Sequence, residues 1–303
     1  VLKEQCLIEP ILKDLHSLLH ADDTAVLSTN RELFIHKCNV LIDTITQKKM
    51  SLNYKKSGYL IINGGPEDVK CNLKLKSGWL IYNSEQKYLG GIFTDTGSVS
   101  IDVDLFLKQK TKEVNVKLAR FLLKNEYAPI SVKLKVANAC INSAILYGCE
   151  SWGSCPLNSI EILQRKALKI VLDISKRTPN EIVYVESGCH PLKPSIYKRQ
   201  MKFFQKIRED CREHPDSSVS AIYKAAFECN TQFVRHYTKL ESKFDTPSEC
   251  YNYYVQEHEE SLHSKIQQKF NDDPDSALGT YYRVNPDLQT PVFNNSISCH
   301  ELD

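Results

Sequence analysis

Apolar and polar positions change rhythm near residue 102. Before it, short apolar runs are broken by turn residues; after it, helical spacing persists to about residue 270. Leu18-Leu19 and the run Ala25-Val26-Leu27 bracket polar residues and predict a β-hairpin over 17–28, with Asp22-Asp23 at its turn. Arg31 to Met50 carries Leu33, Phe34, Cys38, Leu41, Ile42 and Ile45 at helical spacing behind an Asn30 cap. Gly58–Asn63, Val69–Leu75 and Trp79–Asn83 read as short strands, with Ser77-Gly78 a turn between the last two. Gln86–Thr94 adds a strand in which a glycine pair would let a backbone approach a ligand.

Beyond Asp102, Leu107, Val114, Leu118, Phe121 and Leu122 form one stripe of a helix over 103–125, while Lys110, Lys117 and Lys124 recur every seven residues on another face. Pro129 opens a second helix to about Tyr147, and a third spans Asn158–Ser175. In the third, Ile160, Leu163, Ala167, Ile170 and Val171 are expected inside, with Arg165, Lys169 and Lys176 outward. Pro179 to Gly188 predicts a short helix, followed by a basic helix over 195–212 and further helices at 217–229, 231–243 and 248–270. The stretch 271–303 reads as loop or disordered tail.

Composition narrows the class. With 303 residues, 42% hydrophobic and 25% charged, the chain matches a soluble globular protein of one large or two ordinary domains. No apolar run approaches the ~20 residues of a membrane span. Eleven cysteines lack a Cys-x-x-Cys pair, which speaks against a disulfide framework or a zinc site and for a nuclear or cytoplasmic chain. The formal charge of +2 is unevenly distributed: residues 108–212 hold 20 Lys/Arg against 9 Asp/Glu, whereas 213–303 hold 7 against 15. A net +11 over the middle third suits a phosphate backbone, and equally a solvated helix face.

Five segments in order carry a family resemblance: Ala21-Asp22-Asp23, Asn53-Tyr54-Lys55-Lys56-Ser57, Lys87-Tyr88-Leu89-Gly90, Leu146-Tyr147-Gly148-Cys149-Glu150-Ser151-Trp152 and Gln164-Arg165-Lys166-Ala167-Leu168. Together they resemble the reverse transcriptases of non-LTR (LINE-type) retrotransposons, over about residues 1–215. The resemblance implies an α+β fold: a partial palm at 1–102 (hairpin, helix and short antiparallel strands), an all-helical thumb at 103–178 and a C-terminal helical region at 179–270, with 271–303 a tail.

It further implies RNA-templated DNA synthesis, in which a primer 3′-hydroxyl attacks a nucleotide α-phosphate between two Mg²⁺ ions. Asp22 and Asp23 would be metal ligands and Lys56 a cation near the triphosphate. Tyr88, Leu89, Gly90 and Gly91 would grip the primer, and Lys110, Lys117, Lys124, Arg165 and Lys169 would meet nucleic acid. RNA template and DNA primer are the implied partners and Mg²⁺ the cofactor, with no small-molecule cofactor and no membrane. The family's further aspartate lies well upstream, but only 21 residues precede Asp22 and their acids are Glu4, Glu9 and Asp14. The opening run Val1–Leu12 is similar to a family loop with its glycine missing, and the chain stops after Cys299-His300-Glu301, short of the family's zinc knuckle. A fragment that does not polymerise by itself is the expectation. The non-catalytic alternative is a nucleic-acid-binding helical module. A third possibility is a helical interaction protein whose basic middle meets its acidic end.

Overall fold

The computed structural model describes residues 11, 15, 17–65, 68–155 and 157–289. The opening loop run (apart from residue 11) and residues 290–303 of the expected tail, Cys299-His300-Glu301 among them, lie outside the described residues. The fold is α+β, with small sheets first and helices after. The chain divides into two units, Val1–Phe106 with Phe204–His236, and Leu107–Phe203 with Tyr237–Asp303.

The first unit begins with hairpin β1 (Leu18–His20) and β2 (Asp23–Ala25), followed by helix α1 (Arg31–Gln47). Asn30 starts that helix because its side chain accepts from the amides of Glu32 and Leu33 at 2.8 and 3.1 Å, pairing two N–H groups the helix cannot satisfy itself. Strands β3 (Gly58–Tyr59), β4 (Leu73–Leu75) and β5 (Gly78–Tyr82) form a sheet in the order β3-β5-β4. Leu73, Leu75 and Leu80 turn inward with Tyr59 and join Cys38 and Ile42 of α1 in one core, which the alternation of Leu-Lys-Leu dictates.

Two expectations are corrected here. The strands are shorter than the patterns suggested, and β3 pairs with β5 in parallel, Gly58 opposite Ile81 and Tyr59 opposite Tyr82, not antiparallel. The expected strand Gln86–Thr94 is instead a second hairpin, β6 (Glu85–Tyr88) and β7 (Gly91–Thr94). Helix α2 (Val99–Lys124) then runs from the first unit into the second. The first unit also takes in the end of α6 (Lys193–Glu213), α7 (Ser218–Glu228) and the start of α8 (Gln232–Glu241).

The second unit contains the rest of α2, α3 (Ile130–Ile145), α4 (Asn158–Val171), α5 (Asn180–Ser187), the start of α6, the end of α8, α9 (Pro247–Asp272) and α10 (Ala277–Val284). Ala137, Ile141 and Ile145 on α3 and Ile160, Ala167 and Leu168 on α4 are fully buried, at the three-and-four spacing that places them on one face. The Leu146–Trp152 segment is the hub: Cys149 and Trp152 are buried, Gln200 donates to the carbonyls of Cys149 (3.0 Å) and Gly153 (3.1 Å), and Tyr237 donates to that of Glu150.

Helix α10 overturns the expectation of a structureless stretch from 271 onward. Ser276 caps it by accepting from the Gly279 amide at 3.1 Å, and Leu278, Tyr281 and Tyr282 pack on Tyr184, Leu262, Ile266 and Leu288. Gly279 is required by contact: a Cβ there would stand 2.5 Å from the Pro274 carbonyl oxygen.

Candidate functional site

The carboxylate doublet stands at a hairpin tip. The ladder pairs Leu18 with Ala25, Leu19 with Thr24 and His20 with Asp23, so Ala21-Asp22 forms the turn and Asp23 begins β2. Both aspartates are exposed. Ala21 sits at φ +52°, a left-handed conformation that costs a non-glycine residue about 1–2 kcal/mol. Three-residue strands cannot hold such a turn alone. Lys37, 3% exposed on α1, supplies the anchor: its ammonium donates to the carbonyls of Leu15 at 2.8 Å and Leu27 at 3.2 Å, the two chain segments flanking the hairpin. Sequence reasoning missed Lys37, since a lysine amid Arg31–Met50 carries no sign that it is buried.

Tyr88, Leu89, Gly90 and Gly91 form the tip of the second hairpin. Tyr88 pairs with Gly91, and the two residues between take φ +46° and +77°, the double-positive turn that matches strand twist. Gly90 suits its place; Leu89 is strained there. The hairpin is fixed at its base, where the Thr94 amide and hydroxyl both donate to Asp102 at 2.9 and 2.6 Å. It reaches the first hairpin through Tyr88, whose hydroxyl donates to the Leu18 carbonyl at 3.5 Å. Lys56 is exposed in the turn before β3, its amide donating to the Asn53 carbonyl at 3.0 Å.

A tie between Asp95, Tyr82 and Lys70 also went unseen in the sequence. Lys70 and Tyr82 both donate to Asp95, at 2.8 and 2.6 Å. Lys70, then Tyr82, hold the Asp95 carboxyl below its ordinary range, and Asp95 pushes the Tyr82 phenol up. The contact joins segments far apart in the chain.

The basic residues separate into two kinds. Lys117 and Lys124 are exposed on α2. Lys110 is drawn to Glu113 at 3.0 Å. On α4 the expected outward side is corrected: Arg165 is half-buried and paired with Glu161 at 3.4 Å. Lys169 donates to the carbonyls of Lys176 and Thr178 at 3.1 and 2.6 Å, stitching the helix end to the next loop. Burial, then nearby Arg165, lowers the Lys169 pKa. Ile170, expected inside, is 48% exposed; the inward arc runs through Ile160, Leu163, Ala167, Leu168 and Val171 instead. Of the aromatic residues that could stack on bases, Tyr127 and Tyr147 are exposed and Trp152 is core.

Among the described residues, no three His, Cys, Asp or Glu side chains converge to hold a metal. The doublet alone offers two exposed carboxylates. Mg²⁺ commonly accepts one or two carboxylates completed by substrate phosphates and water, so this donor set fits that ion only as part of a site. No family model matches the chain, and neither a curated protein nor a solved structure is found similar to it.

Proposed function

We propose that this chain is a portion of an RNA-directed DNA polymerase of the non-LTR retrotransposon type that does not polymerise by itself. On this reading, residues 1–102 are a partial palm, 103–178 thumb-like helices and 179–270 a helical C-terminal region. The observation that carries it is the tie between the two hairpins: the Tyr88 hydroxyl, on the hairpin with Leu89, Gly90 and Gly91 at its tip, donates to the Leu18 carbonyl at the open end of the hairpin that carries Asp22-Asp23. Carboxylates and a close backbone approach are what a primer end and a nucleotide need on neighbouring supports. Asp22 and Asp23 would hold Mg²⁺, which when bound neutralises charge on the transferring phosphoryl group. The Gly90-Gly91 backbone would bear on the primer, and Lys56 would offer a cation to the triphosphate.

Two assays on the full chain test this. In primer extension on an RNA template, no template-dependent product is expected; Mg²⁺-dependent synthesis would overturn the inactivity. Mn²⁺ added as a relaxation probe should bind more tightly with deoxynucleoside triphosphate present, and should lose that gain in Asp22→Asn with Asp23→Asn. An unchanged gain removes the doublet from the site.

The net +11 of residues 108–212 favours a second reading, a non-catalytic nucleic-acid-binding module. It expects binding of an RNA–DNA hybrid that falls with salt, survives loss of the doublet, and weakens about tenfold when Lys117 and Lys124 become Glu. Absence of a gel shift at low salt would end it.

A further inference from the structure

Helix α2 has a second ordered face. Leu107, Val114 and Leu118, at 2%, 1% and 1% exposure, mark its buried stripe. At 100° per residue, Val116 and Leu123 fall on the opposite side, and they are 50% and 84% exposed. Val116, Ala119 and Leu123 follow the three-then-four spacing of a helix-packing seam, and Tyr127, 96% exposed, continues it past the helix end. Lys108 edges the seam on one side and Arg120, Lys124 and Lys117 on the other, while Lys112 stands in line with it one turn before Val116; all five are exposed. Of the two acids in this stretch, Glu113 is taken by Lys110 and Gln109, each at 3.0 Å, and Glu126 lies beyond the helix.

Single exposed aliphatics are ordinary. Aliphatics at seam spacing, opposite the same helix's core and rimmed by cations on both edges, have the make-up of an interface: apolar centre, charged border. We propose that the outward face of α2 docks an acidic amphipathic helix of a partner protein. The partner's apolar stripe lies on Val116, Ala119 and Leu123, and its carboxylates meet Lys112, Arg120 and Lys124. A second copy of the same face would set five cations against five. A nucleic acid would use the cations and leave Leu123 nothing to bury against, since an aliphatic side chain offers a base no ring to stack on. The inference uses none of the hairpin residues and so does not rest on the polymerase reading of the doublet; it competes with nucleic acid for Lys117 and Lys124, and the RNA probe below separates the two.

The test measures binding of three labelled probes to the full chain by fluorescence anisotropy: a three-heptad helical peptide with Leu at the seam and Glu on both edges, the same peptide with Lys in place of Glu, and a single-stranded RNA. The acidic peptide is expected to bind and the basic one not. Leu123→Glu, at a position exposed enough to spare the fold, should weaken peptide binding at least tenfold with an unchanged far-UV spectrum and melting temperature. Lys112→Glu with Arg120→Glu should also weaken it, and should gain affinity for the basic peptide, a rescue that mere loss of folding cannot produce. No binding of the acidic peptide, or binding indifferent to Leu123→Glu, overturns the proposal. So does RNA binding that falls equally in Leu123→Glu, or self-association in sedimentation that the same substitution abolishes.

Discussion

The sheet-bearing unit and the helical unit hold themselves together by different means. Around the sheet, the core is Leu73, Leu75 and Leu80 with Cys38, Ile42 and Tyr59, at 2–8% exposure. Strands of two to five residues bury little, so the two hairpins rely on polar ties: Lys37 to Leu15 and Leu27, Asp102 to Thr94, Lys70 and Tyr82 to Asp95. The helical unit has Ile141, Ile145, Ile160, Leu168, Ile196 and Ile266 at 0%, packed along helices of up to 26 residues. The candidate site of the proposed function lies on the lightly packed unit, where turns can carry strain and stay wet. The price is that single hydrogen bonds matter there more than single methyl groups.

The comparison breaks most visibly in the helical core. Ile160→Ala should cost about 2–5 kcal/mol, read as a lowered denaturant midpoint. A near-zero change would mean that this core is not packed as described. On the other side, Lys37→Met should cost about 1–3 kcal/mol by leaving two carbonyls unpaired. Hydrogen exchange should quicken over residues 18–27 and not in α3 or α4; uniform quickening would deny that Lys37 acts locally.

Acid sharpens the contrast further. Burial, then His190 and Lys265, hold the His258 imidazole down to about 4, and its ring packs edge-on against Tyr184 at 4.9 Å. The folded state keeps this side chain neutral while the unfolded chain takes a proton near 6.5. Its contribution is therefore complete above pH ~6.5 and is lost as pH falls toward 4. Between about pH 7 and 5 the melting temperature should drop by a few degrees, and His258→Phe should flatten that slope. An identical slope in the variant rules His258 out as the cause.

The smallest effect is expected at the second hairpin tip. Leu89→Asn places a residue tolerant of positive φ before Gly90 and should stabilise by about 0.5–1 kcal/mol. A loss would show that the Leu89 side chain contributes more than its backbone costs.

Helices with a clear three-and-four apolar stripe could be read to within a few residues, since the stripe is local and α1 also announces its cap at Asn30. Helix α10 could not, because its apolar face exists only against Tyr184, Leu262 and Ile266, and Gly279 reads as a helix breaker until Pro274 is seen beside it. Tyr88–Gly91 looked like strand because Leu89 is a poor turn residue; the turn is imposed by the pairing of β6 with β7. Arg165 and Lys169 looked outward by angle alone, and are half-buried because Glu161 and the 176–178 loop supply partners.

Sequence alone determined the shift from sheet to helix near residue 102, the placing of the acidic doublet at a turn, and the basic middle of the chain, since each depends on composition or short-range period. Tertiary structure decided which cations are free and which are spent, how the hairpins are anchored, and that α2 turns a second apolar seam to solvent. Those depend on partners tens of residues away, and no local pattern carries the position of a residue that distant.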